Sequence, residues 1–365
     1  MANHSHGKLL INITKMETQL LKIKNDSFEP AELNGAGEII KAGGLVAFPT
    51  ETVYGLGGDG LNPESSKKIY EAKGRPSDNP LIIHISDMKD LYTITTGVTD
   101  AALKLAEAFW PGPLTMILNK SSVVPYETTG GLDTVAVRMP DNKIALEFIK
   151  ASGGFVAAPS ANLSGRPSPT EAGHVLDDMK GRIDMIIDGG SSTIGLESTI
   201  VDLTEDVPVI LRPGYISMKS LSRVVGDVVY DPAILDADSG QAPRAPGMKY
   251  RHYAPKGDLS IVKGEKEKVI EYIRKQTEEA LKEGDRVGII ATEETYLNYN
   301  ATVVQNIGSR DDEATIARRL YAVLRDFDLE NVNRIYSEEF DTPNMGQAIM
   351  NRLMKAAGHH IITLS

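Results

Sequence analysis

The chain has 365 residues, 41% of them apolar and 24% charged, a length and composition that favour two domains, each able to bury a core. It has no cysteine, which excludes disulfides, thiolate catalysis and Cys-ligated zinc or iron–sulfur clusters. The formal charge of −11 is spread along the whole chain, so strong direct binding of nucleic acid through phosphate neutralisation is not expected.

The start, Met1-Ala-Asn-His-Ser-His-Gly, is polar and lacks the apolar core of a signal peptide. No run of about 18 apolar residues follows, so no membrane span is expected and the cytoplasm is the default location. Residues 1–29 are predicted to be an extension followed by a first strand; residues 1–15 look unanchored, Met16 is an alternative start, and His4 and His6 read as a solvated tail. From Pro30 the pattern alternates. Pro30–Lys41 reads as a helix, opened by proline and closed by Gly43-Gly44. Leu45–Phe48 is a buried strand and Thr50–Gly60 a glycine-studded loop. Pro63–Ala72 is a helix and Leu81–Ile85 a strand. Thr99–Phe109 and Asn142–Ala151 are helical; Leu114–Leu118, Val135–Met139, Phe155–Ala158, Ile183–Ile187, Thr199–Leu203 and Val209–Leu211 are strands. Residues 30–230 thus form an α/β domain on a mixed, twisted open sheet. Residues 231–257 hold four prolines and no apolar period, as expected of a linker. The aromatic and cationic groups in Pro246-Gly-Met-Lys-Tyr-Arg-His-Tyr-Ala-Pro255 are more than a passive spacer needs. Residues 258–365 then alternate strand and helix as a smaller Rossmann-like α/β domain, without a G-x-G-x-x-G.

Lys73-Gly-Arg75 lies between a helix and a strand. Two cations separated by one glycine suit a polyphosphate, because Arg grips oxygens bidentately and Lys adds a point charge. A helix C-terminus with cations against its dipole and Gly74 as its cap explains the same residues. Ser160-Ala-Asn162 follows a buried strand, so both side chains face one side of an extended segment where α/β ligands bind; a plain turn is the alternative. Ser168-Pro169 reads as the start of a helix. His84 interrupts an apolar strand and fits a hydrogen-bonded core residue, and Arg138 ends another strand and requires an anionic partner if buried. Glu197-Ser198-Thr199 and Arg212-Pro-Gly214 mark strand boundaries. No P-loop, H-E-x-x-H or G-x-S-x-G occurs.

Six segments, taken in order, carry a resemblance: Pro49-Thr-Glu-Thr-Val-Tyr-Gly-Leu56, Tyr70-Glu-Ala-Lys-Gly-Arg-Pro-Ser-Asp-Asn-Pro-Leu81, Trp110-Pro-Gly-Pro-Leu-Thr115, Val137-Arg-Met-Pro140, Ala158-Pro-Ser-Ala-Asn-Leu-Ser-Gly165 and Leu211-Arg-Pro-Gly214. Together they resemble the YrdC domain of L-threonylcarbamoyladenylate synthases, and residues 246–365 resemble the extension of its two-domain form. The resemblance implies that L-threonine, bicarbonate and ATP, with Mg²⁺, give threonylcarbamoyl-adenylate and pyrophosphate. This is the first step of a tRNA N6-threonylcarbamoyladenosine modification completed by a separate tRNA threonylcarbamoyl transferase complex. It implies catalytic roles for Lys73, Arg75, Ser160 and Asn162. ATP contacts are implied at these four and at Asn79, Thr134, Ser168, Arg212 and Tyr253. Threonine contacts are implied at Thr52, His84, Arg138, Ala158 and Ser198. Met248–Tyr253 is expected to fold over the nucleotide as a lid. Two other readings remain at this point: a tRNA or double-stranded-RNA binding module, and a carbamoyl transferase working through carbamoyl-adenylate.

Overall fold

The computed structural model describes residues 17–24, 27–234, 245 and 253–365. The extension with His4 and His6, and the proposed lid residues 248–252, lie outside the described residues. No described helix is long and apolar enough to cross a membrane.

The first sheet has eleven strands: β1 (Gln19–Lys22), β2 (Val46–Phe48), β3 (Gly55–Asp59), β4 (Ile82–His84), β5 (Leu114–Asn119), β6 (Thr134–Arg138), β7 (Val156–Ala158), β8 (Met185–Asp188), β9 (Thr199–Asp202), β10 (Val209–Arg212) and β11 (Val229–Tyr230). Their order, β1-β8-β2-β3-β7-β4-β6-β5-β9-β10-β11, mixes parallel and antiparallel pairs, as an α/β sheet covered on both faces permits. Helices pack Ile69, Leu105 and Val175 into one apolar layer and Ile40, Phe148 and Ile149 into another. The second sheet is wholly parallel: β12 (Asp258–Lys263), β13 (Val287–Ala291), β14 (Val303–Asn306), β15 (Arg334–Glu338) and β16 (Ile361–Thr363), in the order β14-β13-β15-β12-β16. Helices Lys266–Lys282, Glu313–Leu329 and Gly346–Ala356 supply the crossovers.

Local chemistry explains the element that carries the paired cations. Asn62 caps helix Pro63–Lys73 by accepting from Glu64 N at 3.0 Å, and Pro63 occupies its first turn. Gly74 ends it with φ at 61°, a left-handed cap open to glycine at little cost. The cap reading of Gly74 therefore holds, with Lys73 as the last residue of the helix and Arg75 directly after the cap.

Two expectations are corrected. The stretch Gly55–Asp59 is not loop but strand β3, paired with β2 and β7. Its glycines mark close approach: a Cβ on Gly57 would sit 2.8 Å from Val156 Cγ1 and 3.2 Å from the Phe48 ring. Ser168-Pro169 does not open a helix. The helix there is Ala172–Met179 with Glu171 at its N-cap, because the Ser168 hydroxyl is taken by a buried carboxylate, a charge-assisted bond stronger than a cap. Helices Met88–Ile94, Tyr126–Thr129 and Met218–Val225 were not anticipated.

Candidate active site

Strand register brings one end of several strands together. Thr115, at the start of β5, lies opposite Arg138, at the end of β6, and also beside Ile200 of β9. Arg212, at the end of β10, pairs with the same Ile200. His84 ends β4 beside Arg138. A cavity opens here, and all but three of the expected site residues line it: Thr52, Lys73, Arg75, His84, Arg138, Ala158, Ser160, Asn162, Ser198, Arg212 and Tyr253.

The exceptions are Asn79, Thr134 and Ser168. Asn79 is buried beside the cavity, and its carbonyl accepts from Arg75 Nε at 3.3 Å; its side-chain Oδ1 has no hydrogen-bond partner among the described residues. Thr134 begins β6, about 13 Å along the strand from Arg138 at the usual rise. Ser168 donates to Glu197 Oε1 at 2.6 Å and so acts on the wall from behind.

Lys73 and Arg212 are buried, and Arg75 is half-buried. Lys73 Nζ donates to the Ser160 carbonyl at 2.5 Å and to the Asn162 carbonyl, so it holds the serine–asparagine loop as well as facing the cavity. Burial, then the Arg75 charge, pushes its ammonium well below the usual lysine range. Arg75 donates to the Asn79 and Pro80 carbonyls; burial lowers it to about 10. Arg212 donates from Nε to the Ser198 carbonyl at 3.0 Å and from Nη2 to Ser198 Oγ at 3.1 Å, and burial lowers it too. Ser160 Oγ donates to Asn162 Oδ1 at 2.5 Å, which places the two side chains on one side, as their alternation predicts.

At the other end of the cavity, Arg138 meets the anionic partner that its burial requires. Its Nη2 lies 2.7 Å from Glu51 Oε2, Nη1 donates to Thr52 Oγ1 at 2.9 Å, and Nε to the Gly112 carbonyl at 3.3 Å. The close approach to Glu51 is charge against charge: the N–H bonds are out of line, and neither Glu51 oxygen accepts a hydrogen bond among the described residues. Of its five guanidinium N–H groups, two make these hydrogen bonds and three make none among the described residues. His84 packs edge-on against Phe48 at 5.8 Å, with Nδ1 3.1 Å from the Ile82 carbonyl. Burial, then the Arg138 charge, lowers it to about 3, so it is a neutral ring near pH 7.

Glu197, at the boundary of β9, was not among the expected site residues. It lines the cavity and is buried. Tyr321 and Arg352, both from the C-terminal domain, bond its carboxylate at 2.8 Å and 3.1 Å. Burial pushes it up, but the Arg352 and Arg212 charges outweigh this and hold it at about 2. Tyr253 stacks on Tyr321 at 5.1 Å between ring centres, and burial followed by Glu197 pushes its phenol up to about 12.

Among the described residues, no group of three His, Asp or Glu side chains is placed to hold a metal ion. The one carboxylate that lines the cavity, Glu197, is already engaged by Ser168, Tyr321 and Arg352. The described residues of the cavity therefore present cations, hydroxyls and an amide to whatever binds there.

Residues 38–214 match a family described as "Telomere recombination", and residues 216–358 match "Threonylcarbamoyl-AMP synthase, C-terminal domain". A threonylcarbamoyl-AMP synthase of Pyrococcus abyssi is 47% identical over 92% of this chain and 97% of its own. One of Bacillus subtilis is 47% identical over 90% of this chain and 93% of its own. The crystal structure of P. abyssi Sua5 complexed with L-threonine superposes with a TM-score of 0.90, at 45% identity, covering 95% of this chain and all of that one.

Proposed function

The chain belongs to the threonylcarbamoyl-AMP synthase family, and from that premise we infer that it condenses L-threonine, bicarbonate and MgATP into threonylcarbamoyl-AMP and pyrophosphate. The observation that carries the reading is electrostatic. Lys73, Arg75 and Arg212 converge on one cavity, and burial disfavours the charged form of each. A triphosphate adds counter-charge at all three, and these groups bind it without first shedding a full shell of water.

In the first step the threonine ammonium and bicarbonate combine to a carbamate, releasing one water and one proton. A carbamate oxygen then forms a bond to the α-phosphorus as the bond from that phosphorus to the β-phosphate bridging oxygen breaks, and pyrophosphate departs. The nucleophile is already an anion, so the protein's task is to align it and neutralise charge. Arg138 takes the threonine carboxylate on its remaining N–H groups, with Thr52, neutral His84, Ala158 and Ser198 around the substrate. Arg75, Arg212 and Lys73 face the phosphates, Ser160 and Asn162 fix the loop between the two substrates, and Tyr253 lies against the nucleotide. Asn79 and Ser168 act through Arg75 and Glu197, and Thr134 stands furthest from the cavity. Mg²⁺ arrives on the triphosphate oxygens with the substrate. We place the enzyme in the cytoplasm, handing its product to a separate tRNA threonylcarbamoyl transferase complex without strong nucleic-acid binding of its own.

The test is pyrophosphate release by the full chain with each substrate omitted in turn. Release must need both threonine and bicarbonate, and Arg75→Met should raise the KM for ATP by about tenfold to a hundredfold, the usual loss for a charged hydrogen bond. Turnover indifferent to threonine would point to carbamoyl transfer instead; salt-sensitive RNA binding without turnover would point to an RNA-binding module.

A further inference from the structure

Arg352 lies on helix Gly346–Ala356 of the C-terminal domain and is fully buried. A buried guanidinium is costly unless its donors and charge are matched, and this one is matched almost wholly across the domain boundary. Nε donates to Glu197 Oε2 at 3.1 Å, Nη1 to the Pro213 carbonyl, and Nη2 to the Glu197 carbonyl at 3.5 Å. Within its own helix it has only the Ala348 carbonyl, at 3.5 Å.

The two residues that it ties together are not arbitrary. Glu197 stands two residues before β9, and Pro213 directly follows β10; these are antiparallel neighbours. Next to those anchors stand Ser198 and the last residue of β10, Arg212, which bond each other and line the cavity. One side chain thus spans both loop ends that present them. Tyr321 extends the same contact: it donates to both Glu197 oxygens, at 3.0 and 2.8 Å, and supports the ring of Tyr253.

We propose that Arg352 is a positioning residue for the nucleotide end of the active site, setting Arg212 by bridging Glu197 to Pro213 and thereby making the C-terminal domain part of the catalytic unit. This rests on Arg212 and Tyr253 facing ATP, as inferred above. Domain attachment alone does not explain the arrangement. A second buried pair already joins the domains, with Arg325 Nη2 2.8 Å from Asp178 Oδ2 and 2.6 Å from the Pro167 carbonyl, and neither Arg325 nor Asp178 lines the cavity.

The experiment compares Arg352→Met, Arg352→Lys and Arg325→Met in the full chain, after the unaltered chain has shown threonine-dependent pyrophosphate release; failure of that first measurement would refute the functional reading rather than this inference. Arg352→Met should raise the KM for ATP about tenfold or more, the loss of one charge-assisted tie, while the Kd for threonine measured without nucleotide rises by a smaller factor, through Ser198 beside the Glu197 anchor. Lysine keeps the charge but cannot span both anchors, so Arg352→Lys should recover part of the ATP affinity and not all. Arg325→Met should lower the thermal midpoint and leave the KM for ATP within about twofold. An unchanged KM for ATP in Arg352→Met, or an equal rise in Arg325→Met, would overturn the proposal. If Arg352→Met does not fold, Tyr321→Phe replaces it: losing one donor to Glu197 should raise the KM for ATP about threefold, and no change would defeat the inference.

Discussion

Replacing Arg138 with methionine should destabilise the N-terminal domain far more than an ordinary core substitution. Arg138 is 4% exposed and Glu51 is 6% exposed, so the substitution removes the charge 2.7 Å from a buried carboxylate whose oxygens accept no hydrogen bond among the described residues. Stranding one partner of such a pair costs about 3–5 kcal/mol. For a domain of about 200 residues each kcal/mol moves the midpoint by about 2–4 °C, so calorimetry of the full chain should show a fall of roughly 6–20 °C in the corresponding transition. The paired variant Arg138→Met with Glu51→Gln removes the stranded charge and should regain more than half of that loss, because the two residues share one interaction. Threonine binding should stay lost in both variants, which separates the charge-pair effect from the substrate effect. A single-variant shift below about 2 °C, or a double variant no more stable than the single, would refute the reasoning.

Two further outcomes follow from the same geometry. A Cβ at Gly214 would lie 2.4 Å from Thr199 N and 2.7 Å from Ser198 C, backbone atoms that cannot swing aside, so Gly214→Ala should cost about 1–3 kcal/mol and lower ATP affinity by displacing Arg212; wild-type stability and ATP affinity in this variant would contradict the packing described. Unfolded chains protonate His84 near its ordinary value of 6.5, whereas the folded chain holds it at about 3. Stability therefore falls with pH across the window from 6.5 towards 3, by about 1 kcal/mol between pH 6 and 5 from this residue. Urea midpoints should fall less steeply with acidification in His84→Gln, and parallel curves for the two proteins would rule this out.

Much of the frame was legible because its signals are local. Asn62, Pro63 and Gly74 specify the helix that delivers Lys73 and Arg75, and the apolar runs at Leu114–Leu118 and Val287–Ile290 could only be buried strands. The glycines of β3 misled because close backbone approach and loop flexibility call for the same residue. The Arg352–Glu197 contact was out of reach for a different reason: its partners are 155 positions apart, and no window along the chain holds both. One signal was available. Arg352 falls at the four-residue spacing between Ala348 and Ala356, on the buried stripe of its helix, as Arg325 falls beside Leu324 and Phe327. A cation on an apolar stripe requires an anion from elsewhere, although the stripe does not say which.

The same reasoning explains how a chain of charge −11 can serve a substrate as anionic as ATP. Exposed acidic groups act through water and salt and are largely screened beyond about 8–10 Å, so they bear on long polyanions more than on a small molecule inside a cavity. Lys73, Arg75 and Arg212 act where water is excluded, and there a small excess of cations dominates. Burial strains the charged form of all three groups and is the largest cause of their lowered values. Glu197 relieves part of that strain, but a free carboxylate facing the phosphates would repel them. With Tyr321, Arg352 and Ser168 occupying its oxygens, it can keep Arg212 charged while presenting little negative surface to the ligand. All three partners stand outside the strands that form the cavity, and two come from the second domain. The second domain thus does for the carboxylate what a local loop alone does not: it holds and neutralises Glu197 from behind.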